Sequence, residues 1–451
     1  MVLFISICKW CVLATVVGIC VGLATAVFLK ALDYSITLTD RAPYYFLLLP
    51  VALFVSSTLT KYLAPDAEGH GTAMIIASLH KRSGKIRPLS VLVKLAAVLI
   101  TIGAGGSAGK EEPGAQLGAG LSSLFADIFK FDDVDRRKLV ICGVSAGFAS
   151  VFGTPLAGAI FGVEVLFIGS LLYDVLLPAF IAGIVSYQMS ASLGITYFHA
   201  PLQFVPVFSV FFLAKVILAG IFFGLISLFL IEFHNLTERA SGRLRIWAPF
   251  KGIIGGAILV LLTLIFSTQY LGLGLDTTQA ILQGQNSVWY AFIVKIVFTT
   301  VTLDFGGSGG IITPIFFIGS SAGCLFSQIF GLNSETFAAI GLVSVLAGAT
   351  NTPIAASIMS VELFGPAIAP YAAIACVVSY IMSGHRSIYP SQVIATQKSR
   401  TIHVLIGQEV KNGEPTVQPR ERSVTGSSLK VIERIRSAIA KTVDRISTRK
   451  K

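Results

Sequence analysis

Four glutamates lie in or beside long apolar stretches of this chain: Glu111, Glu112, Glu164 and Glu362. A carboxylate in such a segment is costly unless it has a partner or a water path, so it marks a candidate functional group. Glu111 and Glu112 follow a glycine-rich loop and precede Pro113, a residue suited to the first turn of a helix. The free N–H groups and dipole of a helix start attract anions. These residue types therefore predict a site that binds anions through backbone N–H groups, and leave open whether Glu111 and Glu112 act in that site or only cap the helix.

The glycine-rich break occurs twice in the chain. Residues 92–129 align without a gap on residues 293–330, and residues 154–164 align on 352–362, which places Glu164 and Glu362 at matching positions. Paired hydrophobic segments interrupted by Gly and Pro indicate a transport site near the bilayer midplane; kinked helices that pack through small residues are the alternative. The identical pairs in the longer repeat are Val93/Val294, Lys94/Lys295, Thr101/Thr302, Gly105/Gly306, Gly106/Gly307, Ser107/Ser308, Gly109/Gly310, Pro113/Pro314, Gly118/Gly319, Leu124/Leu325, Phe125/Phe326, Ile128/Ile329 and Phe129/Phe330.

The composition predicts the elements that must position these residues. Hydrophobic residues make up 54% of the chain and charged residues 13%, with a mean hydropathy of +0.80, whereas soluble domains carry about 25% charged residues. Helices satisfy their own backbone groups in lipid and need about 20 residues to span it. We therefore predict an all-α, polytopic membrane protein. Its charge-free stretches are 139–163, 216–231, 252–275, 305–334, 336–361 and 363–384.

The distribution of cations predicts the orientation. Basic loops at 80–87 and 238–245 and the basic segment 392–451 are expected on the cytoplasmic side. Both termini are then cytoplasmic, in a plasma (inner) membrane. The net charge of +11 reflects this topology, and we expect no nucleic-acid partner. Residues 427–447 have the pattern of a basic amphipathic helix that lies on membrane lipid; a solvated helix or disordered tail is the alternative.

Motifs for enzymatic chemistry are weak. The segment 103–110 resembles a phosphate-binding loop, but Glu111 stands where Ser or Thr would bind magnesium. Asp304-Phe-Gly306 has no kinase catalytic loop near it. No His or Cys cluster has metal-ligand spacing. We therefore expect a protein that is not an enzyme and has no cofactor or metal.

Several short elements resemble those of one family, the CLC chloride channels and transporters. Gly109-Lys-Glu-Glu-Pro113 resembles the family's Gly-Arg-Glu-Gly-Pro, Gly310-Ile-Ile-Thr-Pro314 its Gly-x-Phe-x-Pro, and Gly69-His-Gly-Thr-Ala73 its Gly-Ser-Gly-Ile-Pro. Tyr389 matches a further element, and the likeness covers about residues 5–395. The resemblance implies an inverted-topology repeat with broken helices, a homodimer with one pore per subunit, and a bacterial-type chain without regulatory cystathionine-synthase-type domains.

The resemblance also implies the site residues. The gating glutamate is Glu111, which would mimic the anion, and chloride is the expected ligand. Glu112 and Glu164 are further candidates for gating or proton transfer. The implied anion-binding residues are His70, Gly71, Gly109, Lys110, Glu111, Gly310, Ile311, Ile312 and Tyr389.

Four departures from the family's pattern leave the cargo and the coupling open. His70 stands for the serine that contacts chloride, Glu112 for a glycine, and Ile312 for a phenylalanine. Val165 stands where antiporters resembling this segment carry an inner glutamate, so proton coupling is open. His70 as a cation would strengthen anion binding, as a neutral ring it would donate one N–H, and a purely structural role is equally open.

Other buried polar groups have open alternatives too. For Glu164 and Glu362 we favour a structural role, such as accepting backbone N–H groups of the opposite half. Lys94 and Lys295 are either buried cations that raise the positive potential of the site or side chains that snorkel to the surface.

We predict a transmembrane domain over 1–391, with repeat halves at about 1–195 and 205–391, and a basic tail over 392–451. All motifs precede the tail, so truncation after about Thr396 is expected to leave folding and flux intact. The expected function is transport of small inorganic anions, chloride first, by a passive or weakly proton-coupled path. A proton-coupled antiporter of chloride or another anion such as fluoride is the alternative. A sodium-coupled organic-solute carrier and a membrane scaffold or sensor are more remote.

Overall fold

The computed structural model describes residues 1–65, 71–202, 209–399, 402–412 and 416–417. Helices dominate the described part of the chain, as the sequence predicts. Its α-helices are α1 Val2–Asp40, α2 Leu49–Leu63, α3 Gly71–Lys81, α4 Pro88–Gly103, α5 Glu111–Ile128, α6 Asp133–Phe152, α7 Pro155–Glu164, α8 Tyr173–Ser192, α9 Val210–Arg243, α10 Ala248–Phe266, α11 Leu275–Leu282, α12 Ala291–Asp304, α13 Ile312–Phe330, α14 Ser334–Thr350, α15 Pro353–Phe364 and α16 Ala369–Met382.

Short elements connect or follow these helices. Single 3-10 turns cover Tyr45–Leu48, Thr268–Tyr270, Pro366–Ile368 and Val410–Asn412. Two small sheets pair β1 Phe167–Ile168 in parallel with β2 Val393–Ile394, and β3 Ile402–His403 antiparallel with β4 Thr416–Val417.

The helices repeat in order, so that α1 to α8 correspond to α9 to α16. Reciprocal hydrogen bonds join matched residues: the Ser107 N–H donates to Thr302 Oγ1 (3.1 Å) and the Ser308 N–H donates to Thr101 Oγ1 (3.0 Å). Gly109 and Gly310 exchange N–H···O bonds of 2.7 Å. Because each half donates to the other in the same way, an approximate two-fold axis passes between the two glycine loops.

Glycine allows both helix breaks. Gly105 and Gly306 have φ of +94° and +107°, a region that other residues rarely adopt. The next residues, Gly106 and Gly307, donate to Thr101 O and Thr302 O at 2.8 and 2.9 Å. Helices α4 and α12 therefore end inside the protein. After each glycine loop the next helix, α5 or α13, begins at the centre of the protein.

Six of the described helices are long and apolar enough to cross a membrane: α1, the segment Tyr45–Leu63 that contains α2, α8, α9, α10 and α13. The other apolar helices are shorter, as expected for helices broken inside a membrane. The chain is a multi-pass membrane protein. The helices that start at the glycine loops lie inside it, because most residues of α5 and α13 are buried.

The chain after α16 packs back onto the helices. β2 pairs with β1, which follows α7, and Lys398 Nζ donates to Asn351 Oδ1 (2.5 Å) and Tyr380 O (2.6 Å). Burial and the Lys398 cation lower the pKa of His385 to about 4, so its neutral ring accepts the Lys398 N–H (3.0 Å). The start of the predicted tail is therefore part of the folded body. The predicted amphipathic helix at 427–447 lies outside the described residues.

Candidate functional site

Glu111 crosses from its own half to the start of the matching helix. The Ile312 N–H donates to Glu111 Oε1 (2.6 Å) and the Thr313 hydroxyl donates to Oε2 (2.6 Å). Ile312 is the residue that Glu111 itself matches in the repeat. The carboxylate is fully buried, so hydrogen bonds and the helix dipole of α13 must stabilise its charge. A carboxylate bound in this way occupies a place that an anion could take.

The glycines around Glu111 make this contact possible. A Cβ on Gly109 or Gly310 would collide with the Glu111 carboxylate. The backbone of both loops therefore approaches the carboxylate more closely than any other residue would permit. Lys110, which lies between Gly109 and Glu111, is half-buried.

Glu112 turns toward a different helix start. It is 1% exposed, and its Oε2 accepts the Thr72 N–H of α3 at 3.4 Å. The Ile311 N–H and the Tyr389 hydroxyl lie next to the carboxylate, without the geometry of a full hydrogen bond. Adjacent carboxylates thus face two separate sets of N–H groups.

Tyr389 is held by a loop that joins both halves. Its side chain is fully buried, its N–H donates to Ser387 Oγ (3.0 Å), and its hydroxyl lies beside Thr72 and Glu112. Gln392 fixes the loop, since its Nε2 donates to Val165 O and Thr350 O, each at 2.8 Å.

The structure thus brings most of the predicted anion-binding residues together. Gly71 starts α3 beside Gln116, while Gly109, Gly310, Ile311, Ile312 and Tyr389 surround the two carboxylates. His70 lies outside the described residues.

Glu164 and Glu362 make the exchange between halves that the sequence suggested. Glu164 accepts the Ile354 and Ala355 N–H groups (3.0 and 2.8 Å), at the start of α15. Glu362 accepts the Leu156 and Ala157 N–H groups, both at 2.9 Å, at the start of α7. Each carboxylate therefore satisfies the first N–H groups of the helix opposite.

Both matched lysines are buried. Lys295 is fully buried and donates to Tyr270 O (3.0 Å) and Gly272 O (3.1 Å), with its Nζ 5.3 Å from the centre of the Phe317 ring. Its charge therefore serves carbonyl groups away from the two carboxylates. Lys94 is 4% exposed and interacts electrostatically with Glu112.

A vestibule of about 270 Å³ leads inward to the second glycine loop. Lys94, Asp304 and residues 306–309 line its inner end, and Lys61, Glu238 and Lys251 line its outer part. Its outer part adjoins the basic loop 238–245 that the charge distribution assigns to the cytoplasm.

Sequence reasoning missed several polar residues of this region. His234 Nδ1 lies 3.1 Å from the Asp304 carboxylate, which Thr237 also contacts. A histidine and an aspartate in otherwise apolar helices were the available signal. Thr72 and Thr313 were missed because a threonine in a helix carries no comparable signal. In the described part of the chain, no group of three or more His, Cys, Asp or Glu side chains could hold a metal ion.

Comparison with known proteins identifies what this arrangement resembles. Residues 51–384 match the family model described as "Voltage gated chloride channel". A "Chloride/fluoride channel protein" of Pseudomonas syringae pathovar tomato is 37% identical over 401 residues, covering 87% of this chain and 88% of the relative.

Solved structures share the fold. The structure of a "CLC-type fluoride/proton antiporter" has a TM-score of 0.82 and 29% identity, covering 86% of this chain and 98% of the other. The structure of a "slow cyanobacterial Cl-/H+ antiporter" has a TM-score of 0.74 and covers 83% of this chain and 94% of the other; at 21% identity it supports the fold alone. The resemblance inferred from the motifs, including the fold, is confirmed.

Proposed function

This chain belongs to the voltage-gated chloride channel family, whose members transport anions, and we propose that it passes small halide ions along a path gated by Glu111. Chloride and fluoride are the proposed cargo, and no cofactor or enzymatic step is needed. One pore lies in each subunit of a homodimer, in the plasma (inner) membrane, with both termini in the cytoplasm.

One observation carries the proposal. The Glu111 carboxylate accepts the Ile312 N–H and the Thr313 hydroxyl at the buried start of α13. A halide needs the same donors once it has lost its water, and the dipole of α13 supplies about half a positive charge there. The carboxylate and the halide therefore exclude each other. Protonation of Glu111 weakens its hold on the donors and admits the anion.

Coupling to protons has two candidate forms. Val165 in place of the inner glutamate favours a passive or weakly coupled path. The similarity to a fluoride/proton antiporter and the second buried carboxylate at Glu112 favour proton-coupled exchange. For Glu164 we propose a structural role, because both its oxygens accept backbone N–H groups.

Efflux from liposomes tests the function. Purified full-length protein is reconstituted in vesicles loaded with chloride, fluoride or nitrate, and anion release and external pH are recorded together. We expect release of a halide that is faster at acidic pH. Net proton movement that follows the anion gradient supports the antiporter form, whereas its absence supports the passive form. No release of any of the three ions above that of empty vesicles would contradict the proposed function.

A further inference from the structure

Glu112 is one of the two adjacent buried carboxylates beside the glycine loops, and gating by Glu111 does not use it. The Glu111 side chain reaches α13, whereas the Glu112 side chain reaches the start of α3 at Thr72. The two carboxylates belong to consecutive residues of α5 and therefore point in different directions along the helix surface. They cannot serve the same N–H groups.

The surroundings of Glu112 have the properties of an anion position. The Thr72 N–H, the Ile311 N–H and the Tyr389 hydroxyl surround the carboxylate. All three are donors that a halide could use. The Tyr389 hydroxyl and Glu112 Oε1 are buried, and neither has a hydrogen-bond partner of standard geometry among the described residues. Two buried polar atoms without such partners indicate a place that a ligand can complete.

We propose that Glu112 is a second, inner gate, whose carboxylate fills an anion position formed by the Thr72 N–H, the Ile311 N–H and the Tyr389 hydroxyl. The proposal rests on the halide transport proposed above. An anion that crosses the protein must displace Glu111 from α13 and Glu112 from α3. In the anion-free protein both positions hold a carboxylate, so the path is closed twice.

The vestibule gives Glu112 a route for protons. Lys94 lines the inner end of the vestibule and interacts with Glu112. Asp304 lines the same end and contacts His234, which also interacts electrostatically with Glu112. The charged groups at the inner end of the vestibule therefore interact with Glu112, and in this proposal protons reach Glu112 from that side. The charged and titratable groups that face Glu112 among the described residues are Glu111 of α5, Lys94 of α4, His234 of α9 and Tyr389 of the loop after α16.

Protonation of Glu112 opens the inner position. A neutral carboxyl accepts the Thr72 N–H more weakly than a carboxylate does, so an anion can replace it. A proton that moves from the Glu112 carboxyl to the Glu111 carboxylate leaves Glu112 ionised and Glu111 neutral. One gate then closes as the other opens.

Halide binding to purified full-length protein, measured by calorimetry in detergent at several pH values, tests the inner gate. If a carboxylate must take up a proton before a halide binds, the apparent affinity for the halide rises by up to about tenfold for each unit by which the pH is lowered. We expect Glu111→Gln and Glu112→Gln each to keep part of this pH dependence, and the double variant to lose it. The double variant is also expected to bind one more halide per chain at alkaline pH than Glu111→Gln.

Matched variants keep the result interpretable. Glu164→Gln removes a buried carboxylate that has its own N–H partners, so its pH dependence is expected to equal that of the unchanged protein. Glu112→Gly, which installs the residue that the family's motif carries, is expected to behave like Glu112→Gln and replaces it if the glutamine variant does not fold.

Binding by Glu111→Gln that is already independent of pH would overturn the inner gate and leave the Glu111 gate intact. Equal stoichiometry in Glu111→Gln and the double variant would also overturn it. If the unchanged protein and every variant neither bind nor transport halide, the proposed function itself fails.

Discussion

Among the buried glutamates, hydrogen-bond partners distinguish residues of the same type. Glu164 and Glu362 each accept two backbone N–H groups of one helix start. Glu111 shares its oxygens between an N–H and a hydroxyl, and Glu112 has one oxygen without a standard hydrogen bond in the described part of the chain. Glu164 and Glu362 therefore satisfy the N–H groups of opposite helix starts, whereas Glu111 and Glu112 occupy donors that we propose a halide can take.

Stability tests the role assigned to Glu164. In Glu164→Gln the side-chain amide has only one oxygen. Its NH2 group faces one of the two backbone N–H groups of α15, and that backbone N–H loses its hydrogen-bond acceptor. A buried unpaired group costs about 1–3 kcal/mol, so we expect a lower melting temperature in detergent. Glu232→Gln is the control, since in the described part of the chain this half-exposed residue pairs with Arg386 at the surface, and loss of that pair should cost less than about 1 kcal/mol. Equal melting temperatures for the two variants would exclude the structural role.

Sequence alone identified the carboxylates but not all their partners. The motif match predicted that Glu111 lies near Gly310 and Ile312. It could not place Glu112 against Thr72, because that contact depends on how α3 packs on α5. Lys295 was expected either to serve the site or to reach the surface, and it instead binds the Tyr270 and Gly272 carbonyls. Contacts of this kind depend on the three-dimensional path of the loops.

At the scale of elements, close helix packing fixes where α5 and α13 begin. Cβ atoms on Gly118 or Gly143 would collide with the carbonyl of the other residue, between α5 and α6. Gly319 and Gly341 make the matching contact between α13 and α14. Small residues let helices approach closely in membranes. The repeat predicted that these helices correspond, but not which faces touch.

Enlarging one of these glycines is expected to separate α5 from α6. Gly118→Val adds a branched side chain against the α6 backbone, and overpacking of this kind costs about 1–3 kcal/mol or more. We expect a lower melting temperature and slower halide efflux. Gly242→Ala is the control, because a Cβ there meets no atom of the described residues within 4 Å and should leave both values unchanged. A Gly118→Val variant as stable as the control would contradict the packing.

At the scale of the whole molecule, the two-fold repeat and the segment after α16 act together. The repeat brings the two glycine loops and the starts of α5 and α13 to the centre. The segment after α16 then fixes Tyr389 and covers α7 through the pairing of β1 with β2. Composition and repeat pattern predicted the helical halves. The contacts of Lys398 and Gln392 were not predictable, since their polar partners lie in distant loops.

Two truncations test the role of this segment. The sequence alone predicts that a chain ending at Thr396 folds and transports normally. The contacts of Lys398 with Asn351 and Tyr380 lead us to expect instead a lower melting temperature and a lower yield of folded protein for that chain. A chain ending at Val417 keeps both small sheets and should match the full-length protein in size-exclusion chromatography and melting. Identical behaviour of the two truncations would show that residues 397–417 are dispensable.

The most direct test of the central claim is the pH dependence of halide efflux in Glu111→Gln. The glutamine has nearly the same shape but cannot ionise, so it mimics the protonated, open gate. Full-length protein and the variant are compared in the same vesicles over a range of acidic to alkaline pH. We predict that the variant releases halide at alkaline pH faster than the unchanged protein does at the same pH, and that its acid activation is reduced to the part contributed by Glu112. A variant with the full acid activation of the unchanged protein would contradict the assignment of Glu111 as the gate.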